Sequence, residues 1–192
     1  MERIFKNEPA LLKQILHRYL FQSEYLPTPG LYRSKISAAI LFYQYGRYSQ
    51  DLKYEELADE LLEKICHTIV GDSPVNFGFG LSGLAWGIGY LLKENFIEGN
   101  INEVLAEIDS YIMERNVYRI NDLSFDTGLS GMNFYVEWRV NFATDHGISL
   151  PFDEVYLKDW SAVRSNRLLE FYTEEEILLK MWNHMKFMYQ NR

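Results

Sequence analysis

Apolar positions recur along the chain at helical spacing, interrupted by short Pro- and Gly-bearing breaks. From Pro9 to Tyr25, the residues Leu11, Leu12, Ile15, Leu16, Tyr19 and Leu20 fall on one stripe, and Pro9 suits a helix start. Residues 26–30 (LPTPG) stop that helix, because two prolines and a glycine cannot continue it. The next run, KISAAILFYQYGRY, is apolar on nearly every side until Gln44, the mark of a helix surrounded by other elements. DLKYEELADELLEKICHTIV then carries Tyr54, Leu57, Ala58, Leu61, Leu62, Ile65 and Ile69 on one stripe, with acidic residues opposite, and predicts a half-exposed helix.

After GDSPVNFGFG the same alternation returns. GLSGLAWGIGYLL is apolar all round. INEVLAEIDSYIMERN is amphipathic, with Ile101, Val104, Leu105, Ile108 and Ile112 on its stripe. GLSGMNFYVEWRV opens the pattern a third time. Aligning Lys-Ile-Ser-Ala with the two Gly-Leu-Ser-Gly tetrapeptides puts Ser37, Ser82 and Ser130 in one column, separated by 45 and 48 residues (37 to 82, 82 to 130). A period in the forties, with a buried helix followed by an amphipathic one, predicts αα-hairpin repeats in a curved or closed array. The tail is less regular. Residues 148–169 predict loop and short helix, with His146 in a Thr-Asp-His-Gly loop. Thr173 to Glu176 forms a capping-box pattern ahead of a final helix bearing Ile177, Leu178, Met181, Trp182, Met185 and Met188, which closes the last repeat.

The recurrent glycines are poor phosphate cradles. No strand and no Lys-Ser/Thr accompany them, and the serine is followed directly by glycine, unlike a nucleophile elbow. Gly80, Gly83 and Gly87 instead share a stripe, where missing side chains let neighbouring helix backbones approach. Ser82 and Ser130 are placed to satisfy first-turn amides or to lie against a neighbouring helix.

Composition narrows the function classes. Nineteen basic against twenty-seven acidic residues give a net charge of −8 without a Lys/Arg cluster, so no nucleic-acid footprint is expected. No stretch approaches the roughly 18 apolar residues of a membrane span, and the N-terminus has no signal-peptide core. With one cysteine, Cys66, an intrachain disulfide is impossible, and a cytoplasmic chain is expected. Cys66 reads as a small buried apolar residue. His17 and His184 lie on predicted helices, and no two histidines have metal-ligand spacing.

The residues Gly30-Leu31-Tyr32, the Ser37 column and NFGFGLSGLAWGIGYLL followed by FIEGNINEVLAEID resemble the lanthionine synthetase C-like family over about residues 30–142. That resemblance implies an all-α fold in which inner and outer helices form part of an α/α toroid. It organises the chain as one domain: an N-terminal helix and linker over 1–29, three repeat openings over 30–142, and an irregular segment with a C-terminal helix over 143–192. Three hairpins are roughly half of the family's ring, so a homo-oligomer or a partner subunit completing the toroid is expected. The family's cyclases hold zinc through two cysteines and a histidine in Trp-Cys-Tyr-Gly and Cys-His-Gly type motifs. Neither motif is present, and Cys66-His67 lies far from any repeat opening, so no metal, no cofactor and no zinc-dependent cyclisation are expected.

Two functional readings remain open on the sequence. One is a non-catalytic scaffold or peptide-binding protein serving a modified-peptide pathway, with Tyr32, Asn76, Phe77, Phe79, Trp86 and Trp138 clustered around the repeat openings as the binding set. Core packing is the other explanation of these aromatics. The second reading is an αα-barrel enzyme using carboxylates on a glycan or peptide-like substrate, with Asp122, Asp126 and Glu137 as candidate acids. Asp126 also suits a plain helix-start role. Asp126 and Glu137 would lie about 16 Å apart along one helix, so either needs a partner acid from elsewhere.

Overall fold

The computed structural model describes residues 1–67 and 73–190. It contains ten α-helices and no strand among the described residues, so the chain is all-α. They are α1 (Glu2–Asn7), α2 (Pro9–Gln22), α3 (Lys35–Ser49), α4 (Leu52–Cys66), α5 (Leu81–Lys93), α6 (Ile101–Val104), α7 (Ala106–Met113), α8 (Leu129–His146), α9 (Glu154–Asn166) and α10 (Glu174–Gln190). None is long and apolar enough to cross a membrane. The chain divides into two compact units, one within Met1–Val70 and Thr173–Arg192, the other within Gly71–Tyr172.

In the first unit, α3 and α4 pack as a hairpin. The α3 face is buried from Ile36 through Tyr43, as its unbroken apolar run requires. Each fully buried aliphatic side chain there contributes about 1.5–3 kcal/mol. Asp51 caps α4 by accepting from the Lys53 amide at 3.2 Å. Gly46 lets the hairpin close, since a Cβ there would meet the Glu55 Cγ at 2.9 Å. The predicted continuation of α4 through Ile69 lies outside the described residues. A short helix the periodicity does not announce, α1, forms ahead of Pro9. It is held by Phe5, which is buried edge-on against Tyr45 and Tyr48 at 6.0 and 5.5 Å.

The C-terminal helix belongs to this same unit. Trp182 Nε1 donates to Glu8 at 3.1 Å, Lys186 pairs with Glu8 at 3.4 Å, and Arg18 donates to the Met188 carbonyl. The capping box at its start forms as the sequence predicts: Thr173 N donates to Glu176 at 2.6 Å, and Glu176 N to the Thr173 hydroxyl at 3.3 Å. The helix starts at Ser34, Gly80, Gly128 and Thr173 are thus separated by 46, 48 and 45 residues (34 to 80, 80 to 128, 128 to 173). The period runs to a fourth opening, one without glycines.

In the second unit, α5 is buried from Leu81 to Leu91 and packs on α7 and α8. The predicted single helix over 101–116 breaks at Leu105 into α6 and α7, and Val104 turns outward at 45% exposure, off the expected stripe. Helix α8 runs further than predicted. His146 is its last residue, with Gly147 at φ +64° as the left-handed stop. Residues 154–166, expected to be loop and short helix, form the thirteen-residue α9. Asp153 caps it by accepting from Tyr156 N at 2.7 Å, and Tyr156, Trp160 and Val163 bury its inner face.

Candidate functional site

The two Gly-Leu-Ser-Gly openings are built alike, residue for residue. In the first, Leu81 N donates to the Pro74 carbonyl at 2.8 Å and the Ser82 hydroxyl to the Val75 carbonyl. In the second, Leu129 N donates to Asp122 at 2.9 Å and the Ser130 hydroxyl to Leu123. The preceding loop therefore folds back across the first helical turn. That crossing explains the glycines. Gly80 and Gly128 sit in ordinary extended backbone (φ −135° and −121°), but a Cβ at either would run into the carbonyl of Pro74 or Asp122. At Gly131 a Cβ would collide with the Phe125 carbonyl and the Phe77 Cβ. The close approach is thus to the loop preceding each helix. The expected approach of one helix backbone to another is replaced, at Gly89, by the Trp138 indole of α8, which a Cβ would meet at 2.6 Å.

Each opening is covered by the segment that follows it in the repeat. Gly78 N donates to the Asp126 carbonyl at 2.7 Å, joining the two loops. The Ser130 hydroxyl accepts from Glu170 N at 2.9 Å, so the extended segment before α10 lies over the α8 start. Phe77, Phe125 and Phe134 fill the space between, with centroids 5.0–5.7 Å apart, and Trp86 borders Phe77 at 5.9 Å. Ser37 differs from its two aligned partners. It is the third residue of α3, and its hydroxyl closes a capping box with Ser34 instead of reaching a loop carbonyl.

The predicted binding set separates on this geometry. Tyr32, Phe77 and Trp86 have no exposed surface and pack as core. The Asn76 carboxamide accepts from Phe79 N at 2.9 Å, which fixes the loop. Phe79 keeps 43% of its surface exposed. Trp138 is half-buried, laid over Gly89 and stacked on Phe142 at 5.7 Å. Tyr32 lies in the first unit and the other five in the second.

Two of the candidate acids, Asp122 and Glu137, have structural side-chain partners. Asp122 accepts from Ser124 N at 2.8 Å and from the Thr127 hydroxyl at 2.6 Å, and these donors, the Thr127 hydroxyl above all, hold its carboxyl below the usual aspartate range. Glu137 pairs with Arg164 and accepts from Asn133 Nδ2 at 3.1 Å. Asp126 contributes its main-chain carbonyl to the bond with Gly78. Among the described residues no three His, Cys, Asp or Glu side chains gather as a metal site. Cys66, expected to be buried, is exposed at the last residue of α4, off the stripe of Ala58, Leu61 and Ile65 that the helix buries.

Sequence reasoning missed a buried polar cluster. On α7, Asp109 accepts from Arg139 Nη2 at 2.8 Å and Nε at 3.3 Å and from the Tyr135 hydroxyl, and Arg139 also donates to Asn102 at 3.0 Å. Asp109, Tyr135 and Arg139 are at most 2% exposed. Burial pushes the Asp109 carboxyl up, while the Arg139 guanidinium pulls the other way. The signals were an aspartate beside the apolar stripe of α7 and a Tyr-Arg pair four residues apart on one face of α8. Closed to solvent, this cluster bolts α7 to α8.

Open space of ligand size lies beside the α5 opening. A groove of about 550 Å³ runs between Ser73, Pro74 and Val75 on one side and the stretch from Glu114 to Ile120 on the other, with Arg115, Asn116 and Arg119 beside the Glu114 carboxylate. Its second wall is pinned. Asn116 Oδ1 accepts from Tyr118 N at 3.0 Å, the Tyr118 hydroxyl donates to Asp159 at 3.1 Å, and Arg167 donates to the Tyr118 and Ile120 carbonyls. The first wall is pinned by the loop carbonyls of Pro74 and Val75. The guanidiniums of Arg115 and Arg119 are exposed and have no ion-pair partner among the described residues, in a chain of net charge −8. No protein-family model, curated protein or solved structure matches the chain.

Proposed function

We propose that the chain is a non-catalytic peptide-binding protein of the lanthionine synthetase C-like type, whose helices form part of an α/α toroid and which serves as a partner in a modified-peptide pathway. The single observation that carries the binding reading is the groove beside the α5 opening, with both walls fixed by hydrogen bonds and two unpaired guanidiniums on its rim. Preformed walls lower the ordering cost of binding, and a main-chain stretch of peptide fits a groove of this volume. Two of the three carboxylates that an enzyme reading would need are engaged, Asp122 by Thr127 and Ser124 and Glu137 by Arg164 and Asn133.

Selection from a displayed random heptapeptide library, followed by fluorescence anisotropy on the winners, tests this. The expected ligands carry acidic residues, and the double variant Arg115→Glu/Arg119→Glu binds them at least tenfold more weakly while retaining the wild-type helical spectrum. Winners whose affinity ignores that charge reversal, or a library that yields none, would remove the groove as the site.

A further inference from the structure

We infer that the first unit carries a separate binding site for an organic carboxylate with an aromatic or apolar flank, formed by Arg33, Asn183, His184 and Phe187. These four residues, one from the loop before α3 and three from α10, line a groove of about 290 Å³. The inference does not depend on peptide binding by the second unit.

Arg33 has φ +54°, a left-handed conformation that a side chain with a Cβ adopts at a cost, and it occupies the turn at residues 32–33 that leads into α3, a place where glycine would be unstrained. Strain retained at a non-glycine residue is characteristic of positions held for function. Its consequence here is to place the guanidinium carbon 5.0 Å from the centroid of the Phe187 ring. A cation over an aromatic face uses the flat side of the guanidinium, which leaves its in-plane N–H donors for an acceptor. That acceptor is missing. Arg33 Nε is buried and has no hydrogen-bond partner, and no carboxylate among the described residues pairs with the group. The carboxylate that α10 does meet, Glu8, is taken by Trp182 and Lys186.

The surroundings say what the acceptor carries with it. Phe187 is 52% exposed and so offers ring surface to the groove. His184 is fixed in plane by stacking on Tyr32 at 4.0 Å and 15°. Asn183 adds an exposed amide at the rim. A planar carboxylate matches the arginine fork, the aromatic walls match a flat or apolar neighbour, and the volume limits the ligand to a small molecule or a single terminal residue. Arg33 is half-buried and lines the groove, so a carboxylate entering it meets a guanidinium that has no acceptor of its own.

The matched probes are 3-phenylpropanoate and 3-phenylpropanamide, which differ only in the charge and donor pattern of the head group. Titrations are followed through the arginine Nε–H resonances and by calorimetry on the full chain. The acid is expected to shift one Nε–H signal, the one absent from Arg33→Lys, and to bind at least tenfold more tightly than the amide. Phe187→Ala, a change at a half-exposed side chain, is expected to weaken the acid severalfold.

The decisive variant is Arg33→Gly. Glycine adopts φ +54° freely, so this protein is expected to melt no lower than the wild type while losing the acid at least tenfold. Equal binding of acid and amide, or full binding by Arg33→Gly, overturns the site, as does a wild-type titration with no shift at any arginine Nε–H. None of these results bears on the Arg115 and Arg119 groove, whose heptapeptide selection stands or falls by itself.

Discussion

The openings of α8 and α3 solve one problem in two ways. Both start a long, buried helix after a Pro- or Asp-bearing loop, and both leave first-turn amides to be satisfied. At α8 the loop folds back over the first turn, its Asp122 carbonyl accepts from Leu129 N, and glycine is required where that backbone passes. At α3 the matching bond is kept, from Lys35 N to the Pro27 carbonyl, but the Ser34 and Ser37 side chains add a capping box and a Cβ is accommodated at every early position. Glycine at 80 and 128 therefore marks where the preceding loop runs too close to the helix start for a Cβ. It is a steric requirement of the crossing and carries no implication of a bound phosphate.

The third helical residue exposes the difference most sharply, because it is Gly131 in α8 and Ser37 in α3. Gly131→Ala places a methyl into the Phe125 carbonyl and the Phe77 Cβ, two groups with no room to withdraw in a cluster of three phenylalanines. A loss of about 3 kcal/mol is expected in urea unfolding, at the upper end of overpacking costs. Ser37→Gly at the matching place loses one arm of a capping box, about 1 kcal/mol. If the two variants cost the same, glycine at 131 answers to something other than the loop crossing.

The period was legible because the crossing demands glycine at the same phase of both openings, at Gly80 and Gly128. The fourth opening was legible only as a capping box, since Thr173 and Glu176 achieve the start without glycine and so leave no repeat mark. Helix α9 was hidden by Pro151 and by a polar outer face, although Asp153 provides its cap. The site residues were harder to see. Aromatics next to the openings, Phe77 and Trp86, are what the crossing loops bury, so composition could not separate core from contact surface. The grooves draw on segments remote in sequence: Ser73–Val75 meets Glu114–Ile120, and Arg33 meets Phe187. No local periodicity records such meetings.

A second comparison, between the two serine hydroxyls, isolates what the covering segment adds. Ser82 donates to Val75, whereas Ser130 donates to Leu123 and also accepts from Glu170 N. Ser82→Ala is expected to cost about 1 kcal/mol and Ser130→Ala about 2 kcal/mol, because the second change also strands a part-buried amide. Hydrogen exchange gives the local readout. The Glu170 amide should exchange faster in Ser130→Ala and stay unchanged in Ser82→Ala. Equal costs with an unmoved Glu170 amide would mean that water replaces the lost acceptor.

The smallest expected effect distinguishes the two loops by charge. Asn76 fixes the α5 loop by accepting from Phe79 N, and Asp122 fixes the α8 loop by accepting from Ser124 N and Thr127. Only the second is titratable. The folded-state Asp122 carboxyl is held below its unfolded value of 3.8 by those donors. Folding therefore favours the deprotonated form. The stabilisation is fully present above the unfolded value and disappears as pH falls through the folded one. Asp122 is solvent-exposed, so its share of the acid limb is small. Asp122→Asn should flatten the decline in urea midpoint below pH 4 relative to the wild type, while Asn76→Asp should steepen it by adding a carboxylate with the same kind of backbone donor. Parallel acid limbs in all three proteins would show that the Ser124 and Thr127 bonds form equally well to the neutral side chain, leaving charge without a role at either opening.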